Sequence, residues 1–419
     1  MPGMPSRPPV DLGEFHALLE AVAAFGRTDK GGLQRLAASR EEGAARDHVC
    51  AWLRKRGFAI RVDAVGNVFA LLELAGPQAP WVLSGSHLDS QPRGGRFDGA
   101  YGVIGACVVA DAIRRIQGAA LPRNLAVVVW TNEEGARFAP SMLGSGVFAG
   151  HYETAYALSR RDGDGVSLGE ALAAIGYAGT DAPPANPACC VELHIEQGPS
   201  LERSGATIGA VEGNWGTMKY IVTFRGRAAH TGPTAMSERR DALLAAGHLI
   251  VASRALSDRT GGSLLSSVGR LDVEPNSTNV VAAQARLYAE MRAIDNDMLQ
   301  GACAEFERAA AQAAATAGVE VALELVTDRP AGAFDARLCG LVEKVATELG
   351  YRNSRVHTVA GHDAVSLRRR CPSGMIFVPS AGGVSHNEAE FTSEADLEAG
   401  VEVLAGVLYR LVSEEHDPA

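Results

Sequence analysis

Histidine and carboxylate residues recur close together in this sequence, directly after runs of apolar residues. His87 and Asp89 follow the apolar run that begins at Trp81. In an extended segment, residues i and i+2 lie on the same face, so these two side chains can touch. A carboxylate beside an imidazole fixes the tautomer that binds a metal ion. The pair alone is weak evidence, because a core or surface histidine is several times more common.

Two further segments carry carboxylates at the end of a loop or a strand. Asp98 ends a glycine-rich loop that begins at Gly94 and leads into a predicted helix, although an aspartate that merely caps the helix would stand in the same place. Glu133 and Glu134 follow a buried strand, where adjacent carboxylates are unfavourable unless a cation or a proton stabilises them. Since neighbouring side chains point in different directions, one can bind a metal while the other faces a reacting water. A solvated pair of loop residues is the alternative.

Two more histidines stand in comparable places. His194 begins the sequence HIEQG, again with a carboxylate two residues later, and His386 lies in the loop Gly382–Glu388. Each position is ambiguous by itself. Taken together, the ends of four predicted strands would supply two metal sites that share a carboxylate, with one glutamate left over. The sequence therefore predicts a two-metal site with a spare carboxylate beside it.

An alternation of strands and helices must position these residues. Strands are predicted at Ala59–Val62, Val68–Leu72, Trp81–Ser84, Leu125–Trp130, Cys189–Ile195 and Met375–Val378, and helices at Glu41–Arg56, Gly99–Ile116, Phe334–Leu349 and Glu394–Leu411. Nearly continuous apolar strands between helices indicate a sheet covered on both faces. Such open sheets place their sites at the strand ends. We therefore predict an α/β fold with a large mixed sheet and helices on both of its faces.

A second pattern begins near Gly213. Strands are predicted at Met218–Arg225, Leu264–Leu271, Thr278–Ala282, Ala285–Met291 and Glu320–Val326, with helices at Glu238–Leu256 and Asp297–Ala317. This βαββαβ-like order predicts an α+β unit with an antiparallel sheet and two helices on one face. The simplest account is two domains: residues 1–213 with 330–419, and an inserted domain of residues 214–329.

The composition excludes several classes of partner. The formal net charge of −10 over 419 residues argues against a nucleic-acid surface. No apolar stretch approaches the roughly 18–20 residues that a membrane span needs. The segment Met1–Pro9 lacks the apolar core of a signal peptide and is expected to be a frayed tail. Seven scattered cysteines without a CxxC pair predict reduced, mostly buried thiols and a cytoplasmic protein.

Seven motifs make the sequence recognisable. They are GSHLDSQPRGGRFDG, TNEEGARF, HIEQGPSLE, RAAHTGPTAM, the segment from Asn276 to Arg292, AGHDA and SHNEAE. With these motifs the chain resembles the M20-type metallohydrolases. Within them it resembles the group of N-carbamoyl-L-amino-acid hydrolases, allantoate amidohydrolases and β-ureidopropionases. The resemblance runs in the family's order from about residue 11 to residue 412.

The resemblance implies a role for each residue of the predicted metal site. His87 and His194 would hold one divalent ion, Glu134 and His386 the other, and Asp98 would bridge them. Glu133 would be the general base, and Asp89 would orient His87. The ions would be zinc, or manganese, cobalt or nickel, since such ligand sets accept several metals. The family also leads us to expect a cis peptide bond between Asp98 and Gly99.

The resemblance also implies how a substrate is bound. The inserted domain would be the family's lid and dimerisation domain, so we expect a homodimer formed through it. Its His230 would stabilise the oxyanion, while Asn279 and Arg292 would bind the carboxylate of a small-molecule substrate. A guanidinium fork matches a carboxylate bidentately, although without the family a surface arginine and an exposed loop histidine would be the plainer interpretations. Gln197, Gly361 and His362 would line the substrate pocket.

The expected reaction is hydrolysis of the carbamoyl group of an N-carbamoyl-L-amino acid to free amino acid, ammonia and carbon dioxide. Allantoate amidohydrolase activity is the second possibility, because the same ligands and base would serve it. A related aminoacylase or peptidase is the third. A non-catalytic binding protein that keeps the fold is a hypothesis of another class. Such proteins usually lose a ligand or the base, and here all five ligands and Glu133 are present.

Overall fold

The computed structural model describes residues 7–116 and 121–413, which form two compact units. The large unit takes the chain up to Glu212 and again from Phe334, and the inserted unit is Gly213–Ala333. Residues 1–6 of the predicted N-terminal tail lie outside the described residues. None of the helices in the described ranges is both long and apolar enough to span a membrane.

The strands are numbered in chain order. They are β1 Ala59–Val62, β2 Val68–Leu72, β3 Trp81–His87, β4 Asn124–Trp130, β5 Pro187–Ile195, β6 Ile208–Asn214, β7 Gly216–Arg225, β8 Ala229–His230, β9 Leu264–Glu274, β10 Val280–Val281, β11 Gln284–Ala293, β12 Glu320–Arg329, β13 Gly332–Ala333, β14 Asn353–Thr358 and β15 Ser373–Val378. The strands predicted from apolar runs are all found, most of them extended by a few residues.

The helices are numbered in the same way. They are α1 Leu12–Ala23, α2 Arg40–Arg54, α3 Ala100–Arg115, α4 Leu143–Phe148, α5 Thr154–Leu158, α6 Leu168–Ala174, α7 Ser200–Ser204, α8 Ala242–Asp258, α9 Asn296–Ala317, α10 Ala336–Glu348, α11 Asp363–Leu367 and α12 Glu394–Ser413. Short 3₁₀ turns occur at Met236–Glu238 and Ala381–Gly383. Several of the long helices begin at side-chain caps, for example Ser39 for α2 and Asp295 for α9.

A mixed sheet forms the centre of the large unit. Its strand order is β1-β2-β4-β3-β5-β15-β6, and β14 also pairs with β6. The four strands β4, β3, β5 and β15 run parallel to one another. The flanking strands β2 and β6 are antiparallel to their neighbours. This mixed topology confirms the predicted fold class.

The sheet is covered on both faces, as the apolar strands predict. Leu125, Val127 and Val129 of β4 belong to the core cluster that includes residues of α3, α10 and α12. Val128 and Trp130, on the opposite face of the same strand, belong to a second cluster that includes residues near α11. A central strand with alternate residues in two cores exposes neither face to water. All seven cysteines lie buried as free thiols, which confirms the predicted burial of these side chains.

The inserted unit has its own sheet and core. Its four-stranded antiparallel sheet has the order β12-β7-β11-β9, and α8 and α9 pack on one face of it. Val222, Phe224 and Leu287 are among the fully buried side chains of this core. The short strands β8 and β10 pair separately. The predicted βαββαβ order is therefore confirmed for this unit.

Candidate metal centre

The four parallel strands of the large unit end at one edge of the sheet, and the predicted metal ligands follow these ends. His87 is the last residue of β3, and His194 is next to last in β5. Glu134 follows β4, and His386 follows β15. Because the carboxyl ends of neighbouring parallel strands lie side by side, the fold collects residues that are far apart in sequence.

The first cluster joins two histidines to one carboxylate oxygen. His87 Nε2 lies 3.5 Å from Asp98 Oδ1, and His194 Nε2 lies 3.2 Å from the same oxygen. All three side chains are buried, and their donor atoms lie close enough to hold one ion. The distances between these atoms are those of neighbouring ligands around an ion with bonds of about 2.0–2.2 Å.

The second cluster uses the other oxygen of the same aspartate. His386 Nε2 lies 3.4 Å from Asp98 Oδ2 and 3.3 Å from Glu134 Oε2. The amide nitrogen of Gln91 donates to Glu134 Oε2 at 2.8 Å. Asp98 therefore presents one oxygen to each cluster, which is the arrangement that a bridging ligand requires. His386 is the exposed member, with half of its side chain accessible.

Backbone carbonyls orient the two buried histidines. His87 Nδ1 lies 2.9 Å from the carbonyl oxygen of Asp89, and His194 Nδ1 lies 2.9 Å from that of Ile195. In each ring Nδ1 can only donate to its carbonyl, so the lone pair of the neutral ring is on Nε2, which faces the first cluster. The N–H of Gly99 donates to His194 Nε2 at 3.2 Å, which agrees with a lone pair there.

Asp89 acts on His87 differently from what the sequence suggested. Its carbonyl oxygen, not its carboxylate, makes the close contact with His87, because Oδ1 stands 3.7 Å from the ring nitrogen. The carboxylate instead accepts hydrogen bonds from the backbone N–H groups of Glu133 and Glu134, at 3.2 and 3.1 Å. Asp89 thus connects the end of β3 to the turn that follows β4.

The electrostatics of these clusters favour a bound cation. Burial acts to lower the pKa of His87, but its hydrogen bond with Asp98 and the charges of Glu133 and Asp89 raise that pKa well above its usual value. Burial first, and neighbouring carboxylates next, raise the pKa of both Glu133 and Glu134 well above the usual range. The site therefore has an excess of negative charge that divalent ions would offset. The donor set and its spacing fit such ions.

Glu133 is buried beside the first cluster. Its Oε2 lies 3.7 Å from His87 Nε2, and the residue is 6% exposed. The acid after it in the chain, Glu134, belongs to the second cluster. The two adjacent carboxylates therefore have different surroundings, as the sequence predicts for a ligand and a neighbouring base.

The expectation of a cis peptide bond between Asp98 and Gly99 is wrong. Among the described residues the cis bonds are Ala139–Pro140 and Glu274–Pro275. Gly99 instead turns the chain into α3 with a φ of 65°, a region that glycine adopts without strain. A Cβ atom at this position would stand 2.5 Å from the His87 ring, so the close approach of the loop to that ligand also requires glycine.

Two of the three predicted pocket residues of the large unit contact the clusters themselves. The amide nitrogen of Gln197 donates to Asp98 Oδ2 at 2.8 Å and to Ser385 Oγ at 3.1 Å. The ring of His362, which is 2% exposed, lies edge-on to His194 with centroids 4.4 Å apart. Gly361 precedes it and is partly exposed. His362 is thus placed to fix the orientation of a ligand ring.

Two buried glutamates next to the clusters were not predicted. Glu192 accepts hydrogen bonds from Ser86 Oγ at 2.7 Å and from the N–H of Ala364 at 2.8 Å. Glu390 Oε1 accepts from the N–H groups of Phe97 and Asp98, at 3.1 and 3.2 Å. Burial, with Asp98 next, raises the pKa of Glu390 to about 7. A charged residue inside the apolar strand CCVELHI was the available signal for Glu192.

The other predicted substrate residues belong to the inserted unit. His230 is exposed in β8, opposite Val280 of β10, and the adjoining Asn279 accepts the N–H of Thr231 through its carbonyl oxygen. The β8–β10 ribbon therefore places His230 and Asn279 near each other. Arg292 lies on β11 of the four-stranded sheet, where its Nε donates to Glu290 Oε1 at 2.6 Å.

The fold and the two clusters define a class of protein, one with a metal-binding site at the strand ends of an α/β sheet. The model of the family described as peptidase family M20/M25/M40 matches residues 83–410. The chain belongs to this family, which confirms the resemblance found in the motifs.

Relatives of known name extend over nearly the whole chain. A protein of Mycolicibacterium smegmatis that carries the name "putative hydrolase" is 43% identical over 99% of this chain and 97% of its own. An N-carbamoyl-L-amino-acid amidohydrolase of Rhizobium meliloti is 36% identical, covering 93% of this chain and 94% of its own. An allantoate amidohydrolase of Bacillus subtilis is 33% identical, covering 94% and 96%.

A solved structure shows the same fold throughout. The crystal structure of an amidase of the hydantoinase/carbamoylase family from Burkholderia vietnamiensis matches with a TM-score of 0.91 and 40% sequence identity. The match covers 98% of this chain and 99% of that one.

Proposed function

We propose that this enzyme hydrolyses the carbamoyl group of N-carbamoyl-L-amino acids. The observation that carries the proposal is Asp98, which presents one carboxylate oxygen to each of two histidine clusters while Glu133 lies buried beside the first. The name of the Rhizobium meliloti relative and the family of the Burkholderia vietnamiensis structure support the ureido substrate class.

In this proposal the five candidate ligands hold two divalent ions, zinc or one of manganese, cobalt and nickel. Such ions supply Lewis-acid polarisation of the scissile carbonyl and make the attacking water more acidic. The five ligands are His87, Asp98, Glu134, His194 and His386. The remaining steps are the work of the chain's own side chains.

Glu133 is the proposed general base. Its burial and its carboxylate neighbours favour uptake of a proton, so it can accept one from the attacking water. The same carboxyl group then returns the proton to the leaving nitrogen, and ammonia departs. The carbamate that remains decomposes to carbon dioxide and the free amino acid. General-base assistance of this kind contributes about 10²–10⁴-fold to a rate.

We propose that Arg292, Asn279 and His230 bind the substrate. Arg292 is held by Glu290. Burial acts to raise the pKa of Glu290, but the hydrogen bonds and charges of Arg292 and Lys219 together lower that pKa to about 2. A guanidinium fork matches a carboxylate bidentately, which is the reason for assigning Arg292 to the substrate's carboxylate. His230 would donate to the developing oxyanion, a contribution worth about 3–4 kcal/mol per donor in other enzymes.

Allantoate is the second candidate substrate. The Bacillus subtilis relative is named allantoate amidohydrolase. It covers as much of this chain as the Rhizobium meliloti relative does, and it is 33% rather than 36% identical to this chain. Allantoate also combines ureido groups with a carboxylate, so the same ligands, base and arginine would serve it.

The test is ammonia release by protein loaded with Zn²⁺, Mn²⁺ or Co²⁺ and offered N-carbamoyl-L-amino acids and allantoate in parallel. Release from the carbamoyl amino acids, abolished by a chelator, supports the first proposal. Release from allantoate alone transfers the mechanism to the second candidate. The absence of ammonia from both substrates, with metal bound, would overturn the ureido proposal.

Glu133→Gln isolates the base. We expect this variant to bind metal as the unmodified enzyme does, because Glu133 is outside both clusters, and to lose at least about 10²-fold in kcat. Metal content by atomic emission and ammonia release are the two measurements. Turnover near the unmodified rate would refute the assignment of Glu133.

A further inference from the structure

Two arginines of the large unit are completely buried, and each binds the backbone at the end of a strand that carries the site. Both Arg35 and Arg46 are 0% exposed. Arginine is among the residues that are almost never fully buried unless they are paired. Neither side chain belongs to the metal clusters described above, so their burial needs another explanation.

Arg46 binds the end of β4 and the turn after it. Its Nη2 donates to Thr131 Oγ1 at 3.2 Å and contacts the carbonyl oxygen of Trp130 at 3.5 Å. Its Nη1 donates to the carbonyl oxygen of Gly66 at 2.5 Å. Trp130 is the last residue of β4, and Thr131 begins the turn that carries Glu133 and Glu134.

Glu42 fixes the direction in which Arg46 points. Glu42 lies one helical turn earlier on α2, and its Oε1 accepts from Arg46 Nε at 2.7 Å. Its Oε2 accepts the N–H of Ala38 at 2.6 Å. Both side chains of the pair are 0% exposed. Burying an ion pair is seldom stabilising, because the loss of hydration offsets the attraction. The evident consequence of this ion pair is that it fixes the orientation of the Arg46 guanidinium.

Arg35 binds the end of β3, as Arg46 binds the end of β4. Its Nε donates to the carbonyl oxygen of Leu88 at 2.6 Å. Its backbone N–H donates to Ser90 Oγ at 2.9 Å, and its carbonyl oxygen accepts the N–H of Ser90 at 2.8 Å. Asp89 lies between these two residues and binds the turn after β4 through its carboxylate. Arg35 and Arg46 therefore fix two strand ends that are connected through Asp89.

We infer that Arg46, held by Glu42, is a positioning residue for the reaction: it fixes the Thr131–Glu134 turn so that Glu133 and Glu134 keep their places. The inference rests on the proposed function, in which these acids are base and ligand. Three separate nitrogens of Arg46 make the contacts, to Glu42, to Gly66 and to Thr131. The single nitrogen of a lysine cannot reproduce a planar fork of this kind.

The main test variant is Glu42→Met/Arg46→Met, which removes both charges together and leaves no unpaired buried ion. Arg123→Met is the matched control. Arg123 is 4% exposed, donates to the carbonyl oxygen of Leu411 at 2.8 Å, and precedes the first residue of the same strand, β4. It is thus a buried, carbonyl-binding arginine at the end of β4 away from the site. Arg46→Lys is the third variant.

Three measurements on the full-length protein test the positioning role of Arg46. They are the unfolding temperature, the Co²⁺ affinity followed by visible absorption, and kcat with KM for ammonia release. We expect the double variant to remain folded, to lose about 100-fold in kcat with KM changed less than about threefold, and to bind Co²⁺ about tenfold more weakly. Arg46→Lys should recover part of both losses. Arg123→Met should change neither kcat nor Co²⁺ affinity.

Other outcomes overturn the inference. If the double variant has unchanged kcat and Co²⁺ affinity, Arg46 has no positioning role. Losses in Arg123→Met equal to those of the double variant would also contradict the inference, because they would indicate general destabilisation. If the double variant does not fold, Arg46→Lys with unchanged kcat and Co²⁺ affinity has the same meaning. Should the unmodified enzyme bind Co²⁺ yet release no ammonia, the proposed function fails, and the Co²⁺ titrations alone decide the role of Arg46.

Discussion

Glu390 holds the Asp98 loop in place from outside the two clusters. One of its carboxylate oxygens accepts two backbone N–H groups of that loop, and the other accepts the hydroxyl of Ser385, which directly precedes His386. A single buried side chain therefore connects the loop of the shared carboxylate to the loop of the exposed histidine. Its work is hydrogen bonding, so the shape of the group should matter more than its charge.

This view predicts different results for two substitutions of Glu390. Glu390→Ala leaves two buried N–H groups without an acceptor, which costs about 1–3 kcal/mol for each group. We expect a lower unfolding temperature and Co²⁺ affinity reduced by about tenfold or more. Glu390→Gln keeps a carbonyl oxygen for the loop and an amide for Ser385, and should stay near the unmodified enzyme in both measurements. Equal losses in the two variants would show that the charge of Glu390 matters instead.

Helix α3 packs closely against the site strands. A Cβ atom at Gly102 would stand 2.2 Å from the carbonyl oxygen of Leu193 and 2.9 Å from Ser86 Cβ. Leu193 and Ser86 directly precede the ligand histidines of β5 and β3. The missing side chain thus allows the helix to approach the strands at the level of the metal site.

Gly102→Ala and Gly340→Ala form a matched pair. Both glycines lie in helices of the large unit, but nothing stands within 4 Å of a Cβ atom at Gly340. We expect Gly102→Ala to destabilise the protein by about 1–3 kcal/mol or more, because the added methyl group overpacks the contact. Gly340→Ala should stabilise it by up to about 1 kcal/mol through helix propensity. Urea denaturation measures both, and a stable Gly102→Ala protein would show that the helix can shift without cost.

At the level of elements, the sequence located a strand or a helix correctly where a single hydrophobic pattern ran through the whole segment. The continuous apolar runs located β3, β4, β5 and β15, and hence the strand ends with their ligands. The start of α8 was placed at Glu238, four residues too early, because Met236–Glu238 forms a 3₁₀ turn and Asp241 caps the helix. Its side chain accepts from the N–H groups of Leu243 and Leu244. Helices α4 to α7 and α11 span five to seven residues each, too few for a periodic signal.

The supporting residues could not be predicted from the same patterns. The recurrence of Ala45, Val49, Trp52 and Leu53 predicts the apolar face of α2; Trp52 is half-buried and the other three are buried. Glu42 and Arg46 are buried on the same helix, although charged residues normally mark the solvent face. Their partners Gly66 and Thr131 are distant in the chain, and only the tertiary structure shows that these polar groups meet.

At the level of the whole molecule, we propose a homodimer formed through the inserted unit. Its edge strand β9 is eleven residues long and carries Leu265 and Leu271, which are 43% and 36% exposed. On α8, Leu244 and Val251 lie two turns apart and are 46% and 71% exposed. An open strand edge beside an exposed apolar stripe suits a two-fold interface with a second copy of the chain.

Leu244→Glu/Val251→Glu tests the dimer. Two carboxylates introduced on each copy would have to be buried at the interface, so we expect the variant to sediment as a monomer at concentrations where the unmodified protein is a dimer. Val166→Glu replaces a 36% exposed apolar residue of the large unit and is the control. Sedimentation equilibrium at several concentrations is the measurement. A dimer that survives the double substitution, or an unmodified protein that is always a monomer, contradicts the proposal.

The position of β15 has a consequence for the order in which a newly made chain can fold. This strand lies between β5 and β6 in the sheet, yet the ribosome makes it after the whole inserted unit. At about 5–20 residues per second, β5 is synthesised roughly ten to thirty-five seconds before its parallel partner β15. The inserted unit depends on contacts within one continuous segment, so we expect it to fold during that interval. The second metal cluster includes His386, so it can form only after residues 373–390 leave the ribosome, and the two-cluster site is therefore completed late in synthesis.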